Sequence, residues 1–492
     1  MIRQLLLIIL SMTVAKAQDS LRYSIDLNRL QNDRLTVEVK LPAGVKEFCF
    51  PKMVPGTYAI YNFGRYVQNL QAYDASGKQI PVIRKDTNCY TFANASSLTY
   101  QVDDSWDSPE IKGPYVFEPA GTNFQQDTLF ALNTHALLGY IKGRELLPVS
   151  LQLNVPPGMV ASSSLIERNG RFSEASYQHL TDAPILVAPA DTIYLHLANA
   201  EILISVYSPN QKIKASEIAE QLKPLLKAQL NYLGGQFPVN KYAFLIVMSD
   251  HLKNGSYGAL EHAQSSFYYL PEDSINVMGP VIRDVSAHEF FHIQTPLNLH
   301  SEEIGRFDFQ NPQMSKHLWL YEGLTEYAAQ HMQLQGGLIS LTEFLERMTE
   351  KYRTMHFSYD NTIPFTKLSK GVLNKYKEEY GNVYQKGALI GFCLDLYLRS
   401  ETNGGYGTQQ LIRDLSARFG SSTSFKDDEL FRIITETTKM KGINQFFANY
   451  ISGNKELPLG QLLEKIGCEL RSTDEKKDKI RFLDDLKQEL KE

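Results

Sequence analysis

Two histidines four residues apart, with a glutamate beside the first, are the residues of this chain best placed to do chemistry: His288-Glu289-Phe290-Phe291-His292. On a helix, positions i and i+4 lie one above the other on one face, so both imidazoles can reach one ion. Glu289 is then placed to take a proton from a water at that ion. Zinc is the metal such a set usually takes, with His nitrogens about 2.0–2.1 Å away. The His and Glu content gives a chance H-E-x-x-H in a chain of this length a probability of about 1–2%.

A catalytic zinc needs three protein ligands and one open position. A further H-x-x-G-x-x-H pattern is absent, because its last two positions are Thr295 and Asn298. Glu302 and Glu303 follow in a polar stretch without an evident helical frame. Glu322, in Leu318-Trp-Leu-Tyr-Glu-Gly-Leu-Thr-Glu-Tyr327, lies on a second helix that can fold back beside the first, and is the expected third ligand. Glu326 is one turn later and suits a partner that orients a ligand His through its other ring nitrogen. Upstream, Gly258-Ala-Leu-Glu-His262 offers Glu261, a carboxylate able to hold a peptide's charged amino terminus. Read by itself it is a loop glutamate. Tyr384, at the start of an apolar helix, is the candidate donor to a tetrahedral oxyanion.

The elements that must position these groups fall into blocks. At 492 residues the chain holds about three domains. With 43% hydrophobic and 21% charged residues it is globular. A net charge of -5 gives no reason to expect nucleic acid or an acidic membrane surface as partner. Arg3, the apolar run Leu5 to Leu10 and Ala15-Lys16-Ala17 read as an export signal over 1–17, which implies a periplasmic or secreted protein. No later stretch approaches the ~20 apolar residues of a membrane span. Of four cysteines, Cys49 and Cys89 share one β-rich region and are the expected pair if a disulfide forms.

From 18 to 205 the signals are β: Leu35–Leu41, Val149–Val155 and Ile193–Leu197 alternate with period two. From there the spacing predicts a helix over Ala215–Leu233 and a buried strand over Tyr242–Met248. A histidine-bearing helix follows over 281–295, opened near Pro280 and stopped by Pro296, and then a helix over 316–335 ending at Gly336-Gly337. The remainder is mainly helical, and Ile480, Leu483, Leu486 and Leu490 form one apolar helical stripe.

Taken together, H-E-F-F-H, W-x-x-E-G-x-T-x-Y and the upstream G-x-L-E-H resemble the glycyl aminopeptidase family of zinc metallopeptidases, metallopeptidase family sixty-one, related to the aminopeptidase N family. Val54–Leu70 is similar to that family's β-domain signature, and Phe446–Gly453 with Leu457–Gly460 to its C-terminal helical segment. The resemblance implies an α+β fold: an N-terminal antiparallel β-sandwich or saddle domain (18–205), a thermolysin-like zinc catalytic domain (206–400) and a C-terminal helical segment (401–492); many members carry a PDZ domain after that segment, and the expectation here is a departure, with no PDZ domain. It carries over His288, His292 and Glu322 as ligands of one zinc ion and Glu289 as base. It implies Glu261 with Gly258 as the amino-terminus site and Tyr384 as oxyanion donor. Peptides with free amino termini are the implied substrates, and the family name suggests Gly or Ala as first residue. The stretch Ile293–His300 departs from the W-N-V-K-R of many members, which bears on substrate preference. A zinc endopeptidase of the same fold and a catalytically silent peptide-binding protein are the alternative readings.

Overall fold

The structure is a computed structural model, and it describes residues 19–108, 111–252, 255–471 and 479–482. The expected export signal, 1–17, lies outside the described residues.

The N-terminal part is built on a ten-stranded sheet and a four-stranded sheet. Its longest strands, Arg34–Cys49 and Cys89–Asp103, pair antiparallel. Leu35, Val37 and Val39 point inward between exposed neighbours, as the period-two spacing requires. One pairing departs from the antiparallel expectation: Leu21–Asp26 runs parallel to Val149–Asn154. Cys49 and Cys89 face each other across the two long strands and form a disulfide.

A third, five-stranded sheet underlies the histidine-bearing helix. Its order is Asp191–Leu197, Ala200–Tyr207, Lys241–Ser249, Ser265–Pro271 and Gly258–His262, with the last strand at the edge. This sheet crosses the 205/206 division drawn from the sequence. Ile193–Leu197 alternates like the earlier strands, but its partner leads by parallel pairing into Lys241–Ser249. Local periodicity reports the strand and not the sheet that receives it.

Tyr242 to Met248 is buried throughout because both faces are covered. On one face, Tyr242 and Phe244 meet Phe290 of the histidine-bearing helix, at ring-centroid distances of 4.6 and 5.9 Å. On the other, Ala243, Leu245 and Val247 join Leu129, Ala131, Leu186 and Ala188 of the four-stranded sheet. The two parts of the molecule thus share one apolar layer.

The histidine-bearing helix spans Ile275–Phe291, shifted from the expected 281–295. Pro280 lies within it. Val277 and Met278 already donate to the Ser274 carbonyl, so the first turn forms ahead of the proline, which forfeits only its own bond. The helix ends before Pro296, with His292 as its last flanking residue. The next helix, Leu324–Gln335, is preceded by a π turn over Trp319–Gly323 instead of continuing back to 316. It ends at Gly336, and Gly337 takes φ +68, as the Gly-Gly signal requires.

Beyond it the chain is mainly helical, with the long helix Asn382–Glu401 at the centre. Ile480, expected on a helical stripe, instead lies in the strand Lys479–Phe482 opposite Leu470. Leu483, Leu486 and Leu490 lie outside the described residues. Among the described residues, no helix is long and apolar enough to cross a membrane.

One backbone contact sets the spacing around the site. A Cβ on Gly323 would lie 2.5 Å from the Cα of Gly387, and a Cβ on Gly387 would lie 2.6 Å from the Cα of Gly323. The π turn and the helix Asn382–Glu401 therefore touch backbone to backbone, which fixes Glu322 relative to Tyr384. Gly387→Ala should lower the thermal midpoint. The helix-propensity gain is about 1 kcal/mol, and overpacking costs about 1–3 kcal/mol with no flexible side chain to yield. An unchanged or raised midpoint would mean the two backbones separate freely.

Candidate active site

The helix Ile275–Phe291 delivers His288 and His292 to one face, their ring centroids 4.8 Å apart. The π turn then swings Glu322 against both. Its Oε2 lies 3.2 Å from His288 Nε2 and 3.6 Å from His292 Nε2. A π turn widens the helix by a residue, and such turns recur at functional sites. Glu302 and Glu303 open a separate short helix, Glu302–Gly305, away from this cluster.

Both histidines are held from behind. His288 Nδ1–H donates to Glu326 Oε2 at 2.8 Å, and His292 Nδ1–H donates to the Thr295 carbonyl at 2.8 Å. Nδ1 of each ring is thereby taken up, and Nε2 is the nitrogen that faces Glu322 and is left for an ion. Glu326 is fixed in turn by Lys351 Nζ at 2.6 Å. Burial raises the Glu326 carboxyl, but the Lys351 ammonium and His288 outweigh it and hold the group below the usual carboxylate range.

The donor set suits a metal. Ligands about 2.0–2.1 Å from a tetrahedral zinc lie about 3.3 Å from each other, close to the spacing between Glu322 and the two rings. Glu261, Glu289, Glu322 and Glu326 all line one cavity of about 670 Å³, a concentration of negative charge that favours a cation. The same field shows on the rings. Burial disfavours a charged His288, yet Glu322 and Glu326 drive its pKa well above the usual value. His292, dominated by burial, is pushed down to about 4. Burial also lifts Glu322, but His292 and His288 win and hold it low.

Glu289 lies in the same cavity, and its buried Oε2 has no hydrogen-bond partner. Burial pushes its carboxyl up to about 7. Glu261 is not on a loop: it sits on the edge strand Gly258–His262, which Gly258 opens, and both residues line the cavity. Burial, then Glu322 and Glu289, raise its pKa. Tyr384 stands over His288 at a ring distance of 5.8 Å, with its hydroxyl 2.6 Å from that of Tyr380. Of the residues singled out in the sequence for ligation, base catalysis, substrate binding and oxyanion donation, all but His292 line this cavity, and His292 clusters with His288 and Glu322 beside it.

Sequence reasoning missed three residues. Lys351 braces Glu326 across helices, and Tyr380 pairs with Tyr384. Tyr58, from the N-terminal part, donates to Glu322 Oε1 at 2.6 Å. Tyr58 lies inside the segment Val54–Leu70 that carries the β-domain resemblance, but no spacing rule links it to Glu322.

The family model for the peptidase M61 N-terminal domain matches residues 22–189, and that for M61 glycyl aminopeptidase matches 281–390. The chain belongs to the M61 glycyl aminopeptidase family, and it is a hydrolase of the aminopeptidase type. Glu261 falls outside both matched ranges. An aminopeptidase N family protein from Idiomarina loihiensis has a TM-score of 0.80 at 20% identity, covering 92% of this chain and 79% of that one. An M1 zinc metallopeptidase from Deinococcus radiodurans has a TM-score of 0.55 at 14% identity, covering 90% of this chain and 95% of that one. A mutant of that enzyme bound to a Tyr-Ser-Ala substrate gives 0.55 at 14% identity, with the same 90% and 95% coverage. These likenesses establish a shared fold. No curated protein matches the chain.

The raised carboxyl of Glu289 has a cost in the metal-free protein. A carboxyl lifted from 4.5 to about 7 contributes stability below pH 4.5 that is lost as pH rises through 7, amounting to about 3 kcal/mol. Glu289→Gln removes that titration. The metal-free variant should gain on the parent from pH 4.5 upward and level off above about pH 7, by denaturant unfolding. Parallel pH profiles would contradict the burial argument.

Proposed function

We propose that this chain is an exported zinc aminopeptidase that removes single residues from peptides with free amino termini. The observation that carries the reading is the convergence of His288, His292 and Glu322 beside the unpartnered oxygen of Glu289, with Glu261 in the same cavity. His288, His292 and Glu322 would hold the zinc. When bound, zinc supplies Lewis acidity: it acidifies a water and polarises a carbonyl.

The chain's own residues divide the remaining work. Glu289 takes the proton from the attacking water as the new C–O bond forms, and returns it to the leaving nitrogen as the C–N bond breaks. Its raised pKa suits both halves of that exchange near neutral pH. The Tyr384 hydroxyl donates to the carbonyl oxygen as negative charge develops there. Glu261 accepts from the substrate's α-ammonium.

The exopeptidase reading draws further support from Gly56. A Cβ there would lie 2.6 Å from Glu261 Oε1, so the N-terminal loop lies against the carboxylate on that side. A mutant of the Deinococcus radiodurans enzyme has been solved with Tyr-Ser-Ala and a two-domain M1 zinc metallopeptidase mutant with L-tryptophan, and this reading extends that ligand type here. A preference for Gly or Ala rests on the family description. Export to the periplasm or medium rests on Arg3, Leu5–Leu10 and Ala15-Lys16-Ala17.

Matched peptides with free or acetylated amino termini, incubated with the zinc-loaded protein and read by mass spectrometry, test the proposal. Stepwise loss of residues from free termini alone is expected. Internal cuts in both sets would make it an endopeptidase, and no cuts with zinc bound would leave a binding protein. Glu289→Gln should lower kcat about 10²–10⁴-fold with zinc content unchanged. Glu261→Ala should lose most of the cutting of free-terminus peptides with zinc content unchanged, and parental rates on those peptides would remove its assigned role.

A further inference from the structure

The loop that reaches the site from the N-terminal part is held in an unfavourable conformation. Tyr58 has φ +44 and Gly56 φ +82. Glycine takes such values without cost, but a bulky aromatic residue rarely does unless its surroundings impose them. Here they do. The Tyr61 and Asn62 amides donate to the Lys52 carbonyl at 2.8 and 2.9 Å, and the Lys52 amide donates to Phe309 O at 2.9 Å. Thr57 Oγ1 donates to Val54 O at 2.8 Å. The Tyr58 ring packs on Tyr380 at 5.3 Å. The outcome is a single directed contact, the Tyr58 hydroxyl on Glu322 Oε1 at 2.6 Å.

Each oxygen of Glu322 thereby has one task. Oε1 is taken up by Tyr58, and Oε2 alone faces the Nε2 atoms of His288 and His292. We propose that Tyr58 is a positioning residue for the metal site: it fixes the Glu322 carboxylate so that one oxygen is presented to the ion, and the N-terminal sheet part thereby completes a site whose ligands all lie in the second part. This rests on Glu322 being a zinc ligand, as proposed above. Groups that hydrogen-bond a metal-bound carboxylate typically contribute 10–100-fold to affinity.

The test compares the parent, Tyr58→Phe and Glu322→Gln. Tyr58→Phe removes one oxygen and keeps the ring contact with Tyr380. Zinc affinity is measured by chelator competition, the ligand field by the visible spectrum of the cobalt(II) form, and folding by the thermal midpoint of the metal-free protein. Tyr58→Phe should bind zinc about 10–100-fold more weakly and shift the cobalt bands, with the metal-free midpoint near that of the parent. Glu322→Gln should bind far more weakly still. If Glu322→Gln loses zinc while Tyr58→Phe keeps parental affinity and spectrum, the positioning role is overturned and the ligand assignment stands. A lowered metal-free midpoint with parental affinity and spectrum likewise overturns it, leaving Tyr58 a packing residue. If Glu322→Gln binds zinc like the parent, the ligand assignment itself fails.

Discussion

Negative charge confined in a buried cleft is the constraint around which the catalytic half is arranged. Four glutamates and Asp284, which pairs with Arg347, line one cavity, where the loss of water raises a carboxyl's pKa and like charges raise it further. Each is answered differently. Glu326 is matched by Lys351, and Glu322 by two imidazoles and a phenol. Among the described residues, neither Glu261 nor Glu289 is paired with a lysine or arginine. In the proposed reaction Glu261 meets a substrate ammonium and Glu289 a water proton.

Holding such a cluster against its own repulsion requires stiff supports, and the fold supplies them from several directions. The histidines stand on a helix whose Phe290 is wedged against the central sheet. Glu322 stands on a π turn pressed backbone to backbone onto the tyrosine-bearing helix through Gly323 and Gly387. Glu261 stands on the edge strand of the same sheet. Rigid elements keep donors in register better than loops do, and Tyr58, on a loop, is instead held by its ring contact with Tyr380 and its bond to Glu322.

What the sequence disclosed follows the range of the interactions. His288, Glu289 and His292 are legible because helical spacing is a local fact, and Glu322 and Glu326 because a second helix repeats it. Glu261 was placed on a loop, since its strand pairs on one side only and its five residues lack strong alternation. The helix boundary at Pro280 was misplaced because a proline near a helix start is also tolerated a turn later when the preceding turn is already closed. The sheet to which Ile193–Leu197 belongs, the Lys351 brace and the Tyr58 contact are tertiary choices. Tyr58 and Glu322 are 264 residues apart, and no periodicity spans that interval.

That separation also ties the two parts together. Gly56 and Tyr58 come from the N-terminal part and line the cavity beside residues of the second part. A contact between residues 264 positions apart costs chain entropy that only a packed interface offsets. The finished cleft is therefore a property of the docked pair and of neither part alone.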